Sequence, residues 1–302
     1  MRTKKTPTPF FVHIPKTAGH IIKALITLNY DPDRVLSVYG NFPEIMANLA
    51  GNIKNKNNYD LVQGHMPYGA HYQLNIPDPR YFVFLREPVD RTMSDIAYAL
   101  RAPHHGFHHK FAESDKDPAK LVDLAKGIHY YRNNMTNFVS GLFFTREATL
   151  TDLHLAIDNL WKSEVVGVTD AFEESMLIMA KRLGWKKVIV ERLNTSPSKI
   201  EISDELRSSI RQVLSLDIAL YAVAQDIADQ QIRQYGAFLR EAAEQLREIY
   251  IMQKKIAPER EYEWHTIGDK LHLHEQLEAL VPAASPLGRW ISEIAPCAKK
   301  IA

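Results

Sequence analysis

The sequence predicts an α/β protein of three layers, in which helices cover both faces of a central parallel sheet. Short apolar runs alternate with segments whose apolar residues recur every three or four positions, and strands that alternate with helices in this way form parallel sheets. Apolar residues make up 45% of the 302 residues. The chain can therefore bury the core of one large domain, or of one domain and an appendage.

Five apolar runs have the length and composition of buried strands. They are residues 9–13, 59–63, 81–85, 164–168 and 187–191. Between these runs, helical patterns cover residues 19–29, 88–101, 151–161 and 170–183. Asp170 and Glu173 have the spacing of a capping box at the start of the last of these helices.

Beyond residue 203 the pattern is helical to about residue 255, so we expect a domain of residues 1–229 and a helical extension of residues 230–302. An apolar stripe in this extension has the spacing of one helix face: Ile232, Tyr235, Phe238, Leu239, Ala242, Leu246 and Ile249. The stripe favours packing within the chain, with a seam between copies of a homo-oligomer as the alternative. Residues 283–302 contain Ser, Pro and Gly and are expected to be loosely held.

The first predicted strand runs into a loop that carries Lys16, Thr17, Ala18 and Gly19. A buried strand followed by such a loop and then by a helix aims backbone N–H groups and an ammonium at an anion. The loop lacks the leading glycine and the Gly-Lys-Ser/Thr ending of a Walker A sequence, which argues against an ATPase or a kinase. We expect a phosphate or a sulfate at this loop.

A second strand, loop and helix places Arg86 directly after residues 81–85, with Ser94 eight positions further on. Pro88 suits the first turn of a helix, so Ser94 falls within two turns of the helix start, on the side from which Arg86 approaches. A guanidinium and a hydroxyl fit a second phosphate. The alternatives are an ion pair of Arg86 with Glu87 or Asp90 and a solvated position for Ser94. Two separate anion sites indicate a ligand with phosphates at two ends.

His65 follows the predicted strand 59–63 and should emerge at the same sheet edge as Lys16. Imidazole is the side chain best matched to accept a proton at neutral pH, so His65 is the candidate general base. A histidine that only bonds backbone in a turn is one alternative. Asp95 or Glu87 in the role of the base is another.

These segments, in this order and spacing, resemble carbohydrate sulfotransferases of the heparan sulfate 2-O-sulfotransferase kind, in their bacterial branch. The resemblance extends over about residues 9–225 and rests on residues 15–17, 64–69, 85–88, 133–138, 166–172 and 216–221. It implies a P-loop-NTPase-like sulfotransferase fold. It also implies in-line transfer of a sulfuryl group from 3'-phosphoadenosine 5'-phosphosulfate (PAPS) to a hydroxyl of a saccharide or another small molecule, with adenosine 3',5'-bisphosphate (PAP) as product.

The resemblance implies a role for each candidate residue. Lys16 would balance charge on the leaving group, and His65 would accept the proton of the acceptor. The residues expected at the nucleotide phosphates are Lys16, Thr17, Ala18, Gly19 and His20 for the 5'-phosphate, and Arg86 and Ser94 for the 3'-phosphate. Asn194 and Thr195 follow the last predicted strand, where the family has a loop near the nucleotide, with a plain capping turn as the alternative.

The chain departs from the family at His20 and Ile21, where relatives usually carry Thr and Ser. A non-catalytic protein that binds PAP or PAPS is therefore one alternative function, and a nucleotide kinase on a related sheet is another. The His-rich segment 101–118 is interrupted by Pro103 and Gly106. It predicts a polar loop over the site that contacts the acceptor, and no metal site.

Charge and composition exclude several other classes. The net charge of +1, from 37 basic and 36 acidic residues, argues against a broad nucleic-acid or membrane footprint. The single cysteine, Cys297, leaves no disulfide within the chain and fits a reducing compartment. The first residues fall short of a signal peptide or a membrane anchor. We therefore expect a cytoplasmic enzyme without a membrane span.

Overall fold

The computed structural model describes residues 7–40, 42–47, 59–190, 200–256 and 278–294. The strands are Thr8–Val12 (β1), Val35–Val38 (β2), Leu61–Gly64 (β3), Pro79–Leu85 (β4) and Val165–Val168 (β5). The helices before β5 are Gly19–Asn29 (α1), Phe42–Ala47 (α2), Ala70–Leu74 (α3), Pro88–Arg101 (α4), His108–Ala112 (α5), Pro118–Gly127 (α6), Asn134–Ser140 (α7) and Leu150–Lys162 (α8). Those after β5 are Phe172–Leu183 (α9), Asp204–Arg211 (α10), Ser215–Ile256 (α11) and Pro286–Ser292 (α12).

β1 lies in the middle of an all-parallel sheet whose strand order is β2-β3-β1-β4-β5. At the end of β1, Val12 pairs with Gly64 of β3 on one side and with Val83 of β4 on the other. The chain leaves β1 towards β2 and leaves β4 towards β5, so the connections of these two neighbouring strands diverge. A point of this kind opens a crevice at the carboxyl edge of a parallel sheet.

Successive residues of β1 face opposite sides of the sheet, and helices cover both sides. Phe11 lies in a core with α1, α9, the second half of α11 and α12, here called the α1-side core. Phe10 and Val12 lie in a core with α3, α7, α8 and the first half of α11, the α7-side core. A third apolar cluster joins α4 to α5, α6 and α10. The predicted three-layer α/β architecture with a central parallel sheet is confirmed.

α11 covers the edge strand β5 on its way from one face of the sheet to the other. The side chain of Gln231 accepts a hydrogen bond from the N–H of Val166 (3.2 Å) and donates one to the carbonyl of Glu164 (3.5 Å). These are groups that an uncovered edge strand would expose. The helix bends at Gly236, whose φ of 64° and ψ of −146° suit a residue without a Cβ.

The predicted boundary after residue 229 falls inside α11. Beyond it, Ile232, Leu239 and Leu246 are buried in the α1-side core, together with Leu287 and Trp290 of α12. The apolar stripe therefore packs within the chain. Of the segment expected to be loosely held, residues 283–294 are anchored on this core through α12, and residues 295–302 lie outside the described residues. The division into two domains and the homo-oligomer stay predictions. Although α11 has 42 residues, no helix in the described ranges has both the length and the apolarity to cross a lipid bilayer.

β2 is a strand that the sequence pattern does not predict. Only Leu36 and Val38 of its four residues are buried, which is too short a pattern to stand out. The neighbouring strand makes room for it, because a Cβ at Gly64 would lie 2.0 Å from the carbonyl oxygen of Val38. Gly64 has a φ of 152°, a conformation that side-chain-bearing residues rarely adopt.

The strand predicted at residues 187–191 is wrong over its described part, because residues 187–190 form no strand. Their apolar character has another cause: Val188, Ile189 and Val190 pack in the α1-side core. The side-chain amide of Asn29 donates to the carbonyl of Lys187 (2.8 Å) and accepts from its N–H (3.2 Å). A side chain thus provides the hydrogen bonds that a neighbouring strand would otherwise provide.

The capping box predicted at Asp170 does not form. α9 begins at Phe172 without a side-chain cap, after a 3₁₀ turn over Thr169–Ala171. The carboxylate of Asp170 instead accepts a hydrogen bond from the hydroxyl of Tyr221 in α11, at 2.9 Å. A contact between two elements has replaced the local cap.

The starts of α7 and α11 cap each other in the interior. Asp217 accepts hydrogen bonds from the N–H groups of Met135 and Thr136 and from the Thr136 hydroxyl, at 2.7 to 3.0 Å. In return, the side chain of Asn133 accepts from the N–H groups of Leu216 and Asp217, at 3.0 and 3.3 Å. Full burial raises the pKa of the Asp217 carboxyl, and its three donors oppose that rise. The reciprocal caps fix the two helices against each other.

Replacing Asp217 by Ala should destabilise the fold by about 2 to 4 kcal/mol, because buried donors lose their acceptor. Asp226 is exposed on the same helix and is the matched control. Asp226→Ala should change the free energy of unfolding by less than about 0.5 kcal/mol. Urea unfolding followed by circular dichroism measures both values, and equal stability of the two variants would contradict the capping role.

Candidate anion-binding site

The loops that follow β1 and β4 meet at the crevice between these strands. Nη1 of Arg86, directly after β4, donates to the carbonyl oxygen of Lys16 at 3.4 Å. Nη1 of Arg91 in α4 donates to the carbonyl oxygen of Pro15 at 3.4 Å, and its side chain is fully buried. Two guanidinium groups from the β4 side therefore hold the backbone of the β1 loop. The structure brings the two predicted phosphate segments together.

The backbone of the β1 loop is strained. Lys16 and Ala18 have φ angles of 71° and 65°, left-handed conformations that cost a non-glycine residue ~1 to 3 kcal/mol each. The helix that follows, α1, has neither a side-chain cap nor an acidic residue in its first turn. Alternation between right- and left-handed backbone before a helix start makes a concave surface of N–H donors. The loop therefore has the form of an anion site.

Thr17 supports the loop from inside. Its side chain is fully buried, and its hydroxyl donates to the carbonyl of Ile14 at 2.8 Å. A hydroxyl has one proton to donate. In this conformation Thr17 therefore stabilises the turn, and an anion would have to be held by other donors of the loop.

Lys16 extends from the loop across α4. Its Nζ lies 4.5 Å from the centroid of the Tyr98 ring. Burial lowers the pKa of Lys16, Asp95 opposes this shift, and the neighbouring Arg101, Arg86 and Arg91 add to it. The ammonium thus stands in a field of positive charge. An anion in the crevice would relieve this repulsion.

The expected alternative for Arg86, an ion pair with Glu87 or Asp90, does not occur in the described structure. Arg207 of α10 pairs with Asp90 at 3.2 Å and with Glu87 at 3.8 Å, and Arg211 pairs with Glu87 at 3.6 Å. Glu87 also caps α4 by accepting from the N–H of Asp90 at 2.7 Å. The local acids are occupied by α10, and Arg86 is left facing the loop.

Ser94 is half-buried on α4, one helical turn before Tyr98. Residues four apart lie on the same helix face, so Ser94 lies on the face over which Lys16 extends. Its hydroxyl makes no hydrogen bond within the described part of the chain. That Ser94 and Arg86 hold one phosphate together stays a prediction. Asn194 and Thr195 lie outside the described residues.

His65 leaves β3 on the other side of the β1 loop from Arg86. Its backbone N–H donates to the carbonyl of Val38 at 2.9 Å. Its ring lies edge-on to the rings of His13 and Tyr39, with centroid distances of 4.7 and 4.9 Å. Burial, with smaller effects of His20 and Lys23, lowers the pKa of His65 to about 4. His65 is thus neutral at pH 7 and able to accept a proton, but is a weak base while no anion is bound.

His13, Tyr39 and Gln63 are site residues that the sequence analysis does not single out. The Tyr39 hydroxyl donates to Oε1 of Gln63 (3.4 Å) and lies 3.0 Å from Nδ1 of His13. Gln63 in turn donates to the Ser37 hydroxyl at 3.1 Å. A Cβ at Gly19 would lie 1.9 Å from Nε2 of His13, so this imidazole rests against the start of α1. A polar residue at the end of an apolar strand was the signal for His13, whereas Tyr39 was hidden because β2 was not predicted.

The His-rich segment contains one short helix, α5, and hydrogen bonds back to α4. His104 lies 3.0 Å from the Tyr98 hydroxyl, and Nδ1 of His108 lies 2.8 Å from the carbonyl oxygen of Ala99. Within the ranges that the structure describes, no three His, Cys, Asp or Glu side chains group closely enough to hold a metal ion.

Comparisons with known proteins give no family assignment. No protein-family model matches the chain, and no curated protein matches it significantly. What the site can do is therefore inferred from its geometry and charge.

Binding of a dianion at the β1 loop should take up protons at mildly acidic pH. Burial lowers the pKa values of His13, His20 and His65, to about 4 for the last two. A bound anion raises them, so affinity should increase as the pH falls from 7 to 5, by up to about tenfold per pH unit for each proton taken up. Inorganic sulfate is the probe, because it stays a dianion in this range.

Calorimetric titration with sulfate at pH 5.5, in two buffers of different ionisation enthalpy, counts the protons. His65→Gln should reduce the number of protons taken up for each sulfate bound. His109→Gln, which alters an exposed imidazole in the His-rich segment, should leave it unchanged. Sulfate binding without proton uptake would show that these histidines do not face the anion.

Proposed function

We propose that this chain is a sulfotransferase that transfers a sulfuryl group from PAPS to a hydroxyl of a saccharide or another small molecule. The observation that carries the proposal is the contact between Arg86 and the carbonyl of Lys16. It joins a loop suited to one phosphate to a guanidinium suited to another, at the divergence point of a parallel sheet. A donor with phosphates on both the 3' and 5' carbons of its ribose would use two such neighbouring anion sites.

The β1 loop holds the 5'-phosphate in this proposal. The backbone N–H groups of Ala18, Gly19 and His20 supply hydrogen bonds at the helix start, and Lys16 supplies the charge. Thr17 keeps the turn in shape through its bond to Ile14. The strained backbone and the positive charge around the loop support this assignment, because a bound anion offsets their cost.

The β4 side holds the 3'-phosphate. Arg86 presents several N–H donors in a planar fork, and Ser94 adds a hydroxyl from α4. The pairing of Glu87 and Asp90 with α10 supports this role, because among the described residues no carboxylate lies at ion-pair distance from the Arg86 guanidinium. Contacts of Asn194 and Thr195 to the nucleotide stay predictions.

The donor supplies the sulfuryl group, and PAP is the leaving product. Lys16 neutralises the negative charge that develops on the bridging oxygen. His65 takes the proton of the acceptor hydroxyl while the oxygen–sulfur bond to the acceptor forms and the bond to the bridging oxygen breaks. Burial lowers the pKa of His65 and so limits it as a base, and the negative charge of a bound donor would raise that pKa.

A non-catalytic protein that binds PAP or PAPS is the second candidate. Two observations favour it: the hydroxyl proton of Thr17 is donated inside the loop, and the lowered pKa of the buried His65 makes it a weak base. Such a protein would bind the nucleotide with the same residues and would transfer nothing. Binding and turnover must therefore be measured separately.

PAP should raise the melting temperature of the protein, and ADP with magnesium should raise it less. Arg86→Ala should weaken PAP binding by about 10- to 100-fold, because hydrogen bonds to a charged group are lost. Arg80, at the opposite end of β4, pairs with Glu164 at 3.2 Å and is the matched control. Arg80→Ala should leave PAP affinity within about twofold. A larger effect of ADP with magnesium would favour a kinase.

Transfer of labelled sulfate from PAPS to a panel of saccharide and small-molecule alcohols tests turnover. Lys16→Ala and His65→Ala should each lower the rate at least about 100-fold, since each removes a group that acts on the reacting atoms. His154→Ala, at an exposed position of α8 away from the site, should keep the rate of the unaltered chain. Unchanged turnover in both variants of the site would refute the assigned roles, and PAP binding without any transfer would favour the non-catalytic protein.

A further inference from the structure

Lys16 lies over an aromatic ring of α4 and is influenced by the charge of a buried acid on the same helix, and the proposed reaction uses neither group. The ammonium is over the face of Tyr98, 4.5 Å from the ring centroid. Asp95, three residues earlier on α4, is 2% exposed, and its Oδ2 has no hydrogen-bond partner within the described part of the chain. A buried carboxylate oxygen without a hydrogen-bond donor is costly unless a cation lies near it. Lys16 is such a cation.

Asp95 acts on Lys16 in the opposite direction to the other charged groups around it. Arg101, Arg86 and Arg91 all disfavour a charged Lys16, and Asp95 is the carboxylate that favours it. Among the other groups near this cluster, His105 has Nε2 4.0 Å from Oδ1 of Asp95. Nδ1 of His105 accepts a hydrogen bond from the N–H of Phe107, at 3.2 Å. The neutral imidazole therefore carries its proton on Nε2, towards Asp95, and does not remove the acid's negative charge.

Tyr98 is itself held in place from the other side. Its hydroxyl lies 3.0 Å from Nε2 of His104, and its ring lies edge-on to the rings of His104 and His105. A ring fixed in this way offers one face to a cation, and a cation over that face is attracted by the ring quadrupole.

We propose that Tyr98 and Asp95 are positioning residues for Lys16, and that they hold its ammonium, charged, in the crevice between the ends of β1 and β4. The ring face sets the direction of the side chain. The carboxylate balances the surrounding guanidinium groups. The consequence for catalysis rests on the proposed function, whereas the state of Lys16 can be measured without any nucleotide.

Competitive acetylation with acetic anhydride over a pH series, read by peptide mass spectrometry, reports the pH at which Lys16 becomes half-reactive. Asp95→Asn and Tyr98→Leu should each lower this midpoint by about 0.5 to 1.5 pH units, because each removes a group that favours the ammonium. Tyr98→Phe keeps the ring face, so its Lys16 midpoint should lie within about 0.2 pH units of that of the unaltered protein. Lys181, whose Nζ lies 4.3 Å from the ring centroid of Trp290, is the internal control and should not change.

Transfer kinetics give the second readout. Tyr98→Leu should lower kcat/KM by about 5- to 30-fold, and Tyr98→Phe should stay within about twofold. Circular dichroism checks the fold of each variant. If Asp95→Asn does not fold, the comparison of Tyr98→Leu with Tyr98→Phe tests the positioning role. A shifted Lys16 midpoint without PAP binding would leave the positioning intact and reject the sulfotransferase. An unshifted midpoint in folded Tyr98→Leu, or an equal shift in Tyr98→Phe, would overturn the positioning role of the ring.

Discussion

The parallel register of β1 with both of its neighbours is the constraint on which the site depends. Val12 stands opposite Gly64 on one side and Val83 on the other. The segments that follow the three strands therefore leave the sheet at one edge, with the β1 loop between the others. His65 and Arg86 reach this loop from opposite sides for that reason alone. A slip of the register by one residue would turn every side chain of the strand to the other face.

The same constraint concentrates positive charge. Lys16, Arg86 and Arg91 meet where the three segments converge, and burial makes their mutual repulsion stronger than it would be in water. The acids nearest to Arg86 relieve it only in part, because α10 pairs with Glu87 and Asp90. The two large apolar cores stabilise this unfavourable arrangement, as they do the strained backbone of the loop. A site built in this way is more favourable with an anion than without one.

The parts of the fold that could be predicted from the sequence are those set by local signals. α1 and α4 begin and end at the predicted residues, and Pro88 at the start of α4 is a strong local cue. The errors arise where tertiary contacts decide the structure. The run at residues 187–190 is apolar because it is buried and not because it pairs, and Asp170 bonds Tyr221 rather than its own helix. Likewise, Lys16 and Arg86 were predicted from their segments. The hydrogen-bonded side chains from His13 through Tyr39 to Gln63 could not be predicted, because Tyr39 follows β2.

The hydrogen bonds that link His13, Tyr39 and Gln63 fix where each proton lies, which no pattern in the sequence indicates. Gln63 donates its amide N–H to Ser37, so its oxygen is the acceptor for the Tyr39 hydroxyl. With the single proton of Tyr39 donated to Gln63, Nδ1 of His13 carries its own proton and donates it to the hydroxyl oxygen of Tyr39 at 3.0 Å. Nε2 of His13, next to Gly19, is left as the unprotonated nitrogen. The start of α1 therefore gains a further donor only when His13 is protonated, and burial among other cations prevents this until an anion arrives.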